Sequence, residues 1–247
     1  MSQRILIAGA TSAIAGEMAR AYARRGARLF LLGRDPTKLQ ALCAELGPAV
    51  AGSRAADLAE LTAADGHVAE AWSALGGVDV ACIAHGLLGD QLTSEHDVRH
   101  AELIVRTNFL SPVALLIAIS NRFETIGAGS ICVLSSVAGD RGRPRNYTYG
   151  SAKGALSLYL QGLRTRLHAK GIHVHTIKLG PVDTPMTVNH RKHLLFARAQ
   201  PVAESILRVI DRGGGVAYVP WFWRPVLAVV RALPEFVIQR LGFLAGR

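Results

Sequence analysis

Seven short runs rich in Val, Ile and Leu punctuate this chain, at 4–8, 28–32, 49–54, 78–84, 130–135, 173–179 and 216–219. They are continuously apolar rather than alternating, so each predicts a strand covered on both faces. Helical patterns at 15–25 and 37–46 fall between the first of them. Repetition of strand and helix predicts an α/β fold, a doubly wound parallel sheet with helices on each side. The 247 residues, half of them apolar, suffice for one such domain. The stretch 95–122 is helical in period but contains Asn108 and Pro112, which predicts a kinked or broken helix.

The first strand runs into "GATSAIAG", residues 9–16. A turn at this place presents backbone N–H groups at a helix N-terminus, where partial positive charge favours a phosphate. Gly9 keeps the first position of a G-x-x-x-G-x-G pattern, and Ala13 and Ala15 stand at the other two. Alanine is tolerable there at negative φ and costly at positive φ. A working dinucleotide turn therefore requires negative φ at both alanines, with Gly9 alone using glycine's freedom. No Lys-Ser or Lys-Thr follows, which excludes a Walker-type phosphate loop. The second strand ends in "LLGRD", with Arg34 where a carboxylate would select an unphosphorylated ribose. An arginine there favours a 2′-phosphate, hence NADP(H) over NAD(H); the alternative is a cation that merely solvates a surface turn.

In "VLSSVAGDRGRPRNYTYGSAKGAL", Tyr149 and Lys153 lie four residues apart and share a helix face. An ammonium beneath the phenol would lower the Tyr149 pKa toward the range of a general acid or base. Ser136, at a strand's carboxyl end, can hydrogen-bond to the same substrate oxygen. The S-S-V-A-G and Y-x-x-x-K elements, after a glycine-containing first turn, resemble the short-chain dehydrogenase/reductase family over nearly the whole chain.

That resemblance implies a Rossmann-type single domain and hydride transfer with a nicotinamide cofactor. It further implies reduction of a ketone or oxidation of a secondary alcohol by a catalytic set of Asn108, Ser136, Tyr149 and Lys153. Cofactor contacts would come from Gly9, Thr11, Ser12, Ala13 and Ile14 in the first turn, from Arg34, and from Asp57 and Leu58 near the adenine. Ala84, Gly86, Tyr149 and Lys153 would join them, with Gly180, Val182 and Thr184 at the carboxamide. "IAHG" at 83–86 replaces the family's N-N-A-G, so two asparagines that support the sheet and cofactor loop are lost while Gly86 is kept. Leu179 replaces the proline of P-G-x-V-x-T. His85 is not read as a proton relay, because Tyr149 fills that role.

His190 and His193 have a spacing compatible with metal binding, but no carboxylate or cysteine partner lies nearby, so no metal is expected. With Arg191 and Lys192 they read as a solvated basic lid able to attract an anionic substrate. Lys plus Arg outnumber Asp plus Glu by 28 to 18, a formal charge of +10, which calls for an anionic partner. The arginines are scattered and no nucleic-acid motif accompanies them, so no nucleic acid is expected. Cys43, Cys82 and Cys132 share no metal-ligand spacing and fit a reduced, cytoplasmic setting. No uninterrupted apolar run approaches the roughly 18 to 20 residues of a membrane-crossing helix, and no secretory signal is evident.

Residues 1–220 thus read as the NAD(P)-binding domain and 221–247 as its amphipathic, helical extension. Trp221, Phe222 and Trp223 stand at one end of that tail, with Arg224, Arg231, Arg240 and Arg247 spread through it. Aromatic rings and snorkelling arginines suit peripheral contact with the inner face of a membrane; a helix packed in a homo-oligomer interface fits equally. Pro225 and Pro234 predict two short helices rather than one span. The strings "IAHGLLGD", "LSSVAGDRGR" and "YGSAKGAL", with this tail, resemble bacterial reductases of the decaprenylphosphoryl-2-keto-erythro-pentose type, which implies a lipid-linked keto-sugar as the carbonyl substrate. The rival class is a non-catalytic, dinucleotide-sensing protein on the same fold.

Overall fold

A computed structural model describes residues 2–188 and 195–240. The chain runs β1 (Arg4–Ala8), α1 (Ala13–Arg24), β2 (Arg28–Gly33), α2 (Pro36–Leu46), β3 (Val50–Ala55), α3 (Ala64–Leu75) and β4 (Val80–Ile83). It continues through α4 (Gln91–His96), α5 (Val98–Val105), a π-helical turn (Arg106–Leu110), α6 (Ser111–Ile126), β5 (Ser130–Ser136) and α7 (Tyr147–His168). The remainder is β6 (His173–Leu179), β7 (Val182–Asp183), β8 (Ala197–Arg198), α8 (Ala199–Asp211), β9 (Val216–Val219), α9 (Trp223–Ala232) and α10 (Glu235–Arg240). Each strand and helix expected from the apolar runs is present, with ends displaced by no more than two residues.

Seven strands form one parallel sheet in the order β3-β2-β1-β4-β5-β6-β9. Their continuous apolarity is explained by the two cores. Ile5, Ile7, Leu29 and Leu31 face Met18 and Tyr22 of α1 and Ile206 and Leu207 of α8. Leu6, Phe30 and Leu32 face Val68 of α3, Leu116 and Phe123 of α6, and Leu156 and Leu160 of α7. Successive side chains point to opposite faces, and both faces are dry. The strand order reverses between β1 and β4, so a crevice opens at the carboxyl ends of those two strands.

Local chemistry sets the helix starts. Ser12 caps α1, its hydroxyl accepting from the Ala15 N–H at 3.3 Å, and Asp35 caps α2 ahead of Pro36. The expected break in 95–122 falls at Asp97, which caps α5. Asn108 and Pro112 do not break the helix. Asn108 sits inside the π-helical turn, and Pro112, with no N–H to place, follows directly after that wider turn. Val98–Ile126 therefore forms 29 residues of continuous helix, long and apolar enough to cross a membrane on length and composition, its most apolar 18-residue window having a mean hydropathy of 1.8. The expectation that nothing approaches that length counted only unbroken apolar runs. Half of the helix's most apolar window is buried inside the protein, where α6 packs between α3 and α7.

The tail does divide into two short helices, separated at Pro234, with Pro225 accommodated in the first turn of α9. Trp223 packs directly on Gly180: a Cβ there would run into the indole ring. The basic segment His190–His193 and Arg247 lie outside the described residues.

Candidate active site

The crevice is a cleft of about 430 Å³. Of the residues singled out from sequence, Gly9, Thr11, Ser12, Ala13, Ile14, Arg34, Asp57, Leu58, Ala84, Gly86, Tyr149, Lys153 and Thr184 line it. Asn108, Ser136, Gly180 and Val182 do not line it. Gly9 has φ +85°, and no residue other than glycine has positive φ among the described residues, so Ala13 and Ala15 fit the turn without strain. Gly9 is also required by close approach, since a Cβ would fall 2.6 Å from the His85 backbone nitrogen. The turn delivers the N-terminus of the twelve-residue helix α1 to one end of the cleft. Arg34 is exposed on the rim with Lys38 one helical turn beyond it; the neighbouring Asp35 carboxylate accepts from the Lys38 N–H at 3.1 Å.

At the other end α7 is pressed onto the turn that follows Ser136. A Cβ at Gly139 would lie 2.6 Å from the Gly154 nitrogen, so these backbones touch only because neither residue has a side chain. This contact brings the Tyr149 phenol beside the Ser136 hydroxyl. The Ser136 hydroxyl also accepts from the Ala138 N–H at 3.1 Å and reaches the Leu179 carbonyl at 3.5 Å. Lys153, 4% exposed, donates to the Leu134 carbonyl at 3.0 Å, and its Nζ lies 5.8 Å from the centre of the Tyr149 ring.

The electrostatics differ from the sequence expectation. Burial pushes the Tyr149 phenol up to about 12, opposed only by the neighbouring Ser136 hydroxyl. Burial also pushes Lys153 down to about 8, and its ammonium is engaged by a carbonyl, so it does not lower the phenol here.

Asn108 is fully buried, and its amide is fully used: Nδ2 donates to the carbonyls of Leu87 (2.6 Å) and Ile104 (2.8 Å), and Oδ1 accepts from the Leu87 N–H at 3.2 Å. It reaches the site through Gly86, where a Cβ would be 2.9 Å from Asn108 Oδ1 and 3.4 Å from Lys153 Nζ. Val182 is buried in the small pair β7–β8, which flanks the cleft beside Thr184.

Sequence reasoning missed the charge network behind the turn after Ser136. Asp140, whose side chain is 3% exposed, pairs with Lys178 of β6 and accepts from the Tyr218 hydroxyl of β9 at 2.6 Å. Arg231 of α9 lies near the same phenol. One signal was present: Asp140 is the sole carboxylate between Glu124 and Asp183. Lys38 was also missed, although it follows Arg34 by one helical turn.

Residues 3–195, more than three-quarters of the chain, match the short chain dehydrogenase family. The chain belongs to that family. This short-chain dehydrogenase is 36% identical over 240 residues to an uncharacterized oxidoreductase of Mycobacterium tuberculosis, covering 96% of each chain. It is 34% identical to a hydroxysteroid 11-beta-dehydrogenase 1-like protein of Xenopus tropicalis, covering 96% of this chain and 87% of that one. Among solved structures, a short chain dehydrogenase from Burkholderia cenocepacia in complex with NADP superposes with a TM-score of 0.83 at 20% identity, over 97% of this chain and 98% of that one. The short-chain dehydrogenase described here is an oxidoreductase acting on a CH–OH/C=O pair.

Proposed function

We propose that the protein is an NADPH-dependent reductase of a ketone, with Tyr149 as general acid. The observation that carries this reading is that Tyr149, with Ser136 beside it, and Lys153 line the same cleft as a helix N-terminus behind a positive-φ glycine. The residues present fit a dinucleotide: Ala13 and Ile14 at the head of α1 would face the pyrophosphate, Asp57 and Leu58 the adenine, and Val182 and Thr184 the carboxamide. Arg34 and Lys38 on the rim would face a 2′-phosphate, which favours NADP(H) over NAD(H). The NADP-bound Burkholderia relative shares the fold and is consistent with this choice. When bound, the nicotinamide supplies the hydride.

The chain's own residues do the rest. Ser136 holds the carbonyl oxygen by its hydroxyl, and Tyr149 Oη gives that oxygen its proton. A phenol held at about 12 is protonated at neutral pH, the form a reductase needs. Lys153 replaces the proton and orients the ribose, and Asn108 fixes the strand end opposite Lys153.

A lipid-linked keto-sugar is the substrate class we favour, with the tail 221–247 as a peripheral, membrane-facing extension of the domain formed by 1–220. Trp221 is 77% exposed, Val229 63% and Phe236 58%, beside Arg224 and Arg240. Packing of the same face in a homo-oligomer is the competing arrangement.

Fluorescence titration should give tighter binding of NADPH than of NADH. Equal affinities would remove the role of Arg34 and Lys38. In a screen of carbonyl compounds that includes a polyprenyl-phosphate keto-sugar, Tyr149→Phe should lower turnover by on the order of 10²-fold or more. Full turnover by that variant would remove Tyr149 as the general acid, whereas cofactor binding with no turnover of any carbonyl by the wild type would leave the non-catalytic, dinucleotide-sensing reading standing.

A further inference from the structure

His85 occupies a place where the family resemblance calls for a small residue, beside the positions at which two supporting asparagines have become Ile83 and Ala84. Its Nε2 lies 2.8 Å from the Ser111 hydroxyl at the start of α6, and that hydroxyl lies 2.5 Å from the carbonyl of Leu58. Ser111 is fully buried and Leu58 nearly so. A carbonyl can only accept, so the single Ser111 proton goes to Leu58. The Ser111 oxygen must then accept from His85, and the proton of the imidazole is placed on Nε2. Nδ1 is left bare, and it is buried without a partner. Burial beside the Lys153 ammonium holds the ring to about 3, so it stays neutral throughout the physiological range.

We infer that His85 is a positioning residue for the adenine half of the cofactor: a neutral, Nε2-protonated strut that runs through Ser111 to fix the Leu58 turn. The support that two asparagine side chains would have given this strand end is moved one residue along and redirected across the crevice. Leu58 and its neighbour Asp57 line the cleft and are the residues assigned to the adenine, so the strut acts on binding of the adenosine portion and not on proton transfer. This inference rests on the proposal that the cleft takes NADP(H).

The test has two arms on the full-length chain. Nitrogen NMR of 15N-histidine-labelled protein without cofactor should show His85 protonated on Nε2 only, unchanged between about pH 5 and 8. Binding is then measured with adenosine 2′,5′-bisphosphate and with nicotinamide mononucleotide as separate probes. Ser111→Ala and His85→Ala should each weaken the adenosine probe about tenfold, the loss of one buried hydrogen bond, and leave the nicotinamide probe within twofold. His85→Gln, which carries an N–H at the reach of Nε2, should restore most of that affinity, and the double alanine variant should be no worse than either single one. Ser111→Ala removes only an oxygen and keeps the fold. An Nδ1-protonated ring, or unchanged adenosine affinity in Ser111→Ala, overturns the inference. If the wild-type chain binds neither the adenosine probe nor NADPH, the cofactor reading falls with it, whereas the spectrum alone still decides the tautomer.

Discussion

Burial holds Lys153 to about 8, against 10.5 for the free side chain, in a position where only 4% of it is exposed. Between those two values the unfolded chain carries a proton that the folded chain has released, so raising the pH through that window favours the folded state. Below about 8 both states are charged, and the full cost of the buried ammonium is present. Compared with Lys153→Met, the wild-type protein should therefore gain up to about 3 kcal/mol of stability between about pH 8 and 10.5. Urea unfolding of both proteins at the two ends of that range checks this; parallel pH dependences would mean that the ammonium is not desolvated. Wild type retains this residue despite the cost because its Nζ sits under the Tyr149 ring.

The contact between α7 and the turn after Ser136 is the element-scale device that assembles the site. Adding one methyl at Gly139 sets it against backbone, at 2.6 Å from Gly154 N and 2.7 Å from Lys153 C, where nothing can rotate away. Gly139→Ala should lower stability by about 1–3 kcal/mol and lower turnover further by prising Tyr149 from Ser136. Gly162→Ala, on the exposed side of the same helix with nothing within 4 Å of the new methyl, should be stabilising by about 0.5–1 kcal/mol. Thermal denaturation and turnover of the two variants separate helix propensity from the contact. The sheet and its helices were legible in the sequence because burial on both faces writes an unbroken apolar run. The first turn was legible because only Gly9 needs positive φ. The π-helical turn was not, since Asn108 reads locally as a helix breaker and is held there by bonds to Ile104 and to Leu87, 21 residues away. Asp140 was not either: its partners lie 38 and 78 residues further along, a pairing that only the strand order brings together. The lowered phenol expected of Tyr149 failed for a third reason, because spacing gives proximity but not desolvation.

Across the whole molecule, the tail is built into the site as well as facing outward. Trp223 covers Gly180, and Arg231 lies near the Tyr218 phenol that donates to Asp140 behind the turn after Ser136. Deleting 221–247 would remove these supports together with any membrane contact, so point changes on the exposed face are the cleaner probe. Val229→Ser with Phe236→Ser should keep the melting temperature and reduce flotation with anionic vesicles about tenfold or more, as expected for withdrawing two apolar side chains from an interface. Unchanged flotation, or none in the wild type, would assign that face to contact between subunits. The strand order gives the C-terminal region one more role. β9 is four residues long, yet among the described residues it is the strand that pairs with the outer side of β6, a seven-residue strand of which Val174, His175, Thr176 and Ile177 are buried. A chain cut short of Val216 would present that strand's unpaired N–H and C=O groups as a template for a second chain. Proteolysis or premature termination near this point would then show itself as insolubility, before any loss of catalysis could be measured.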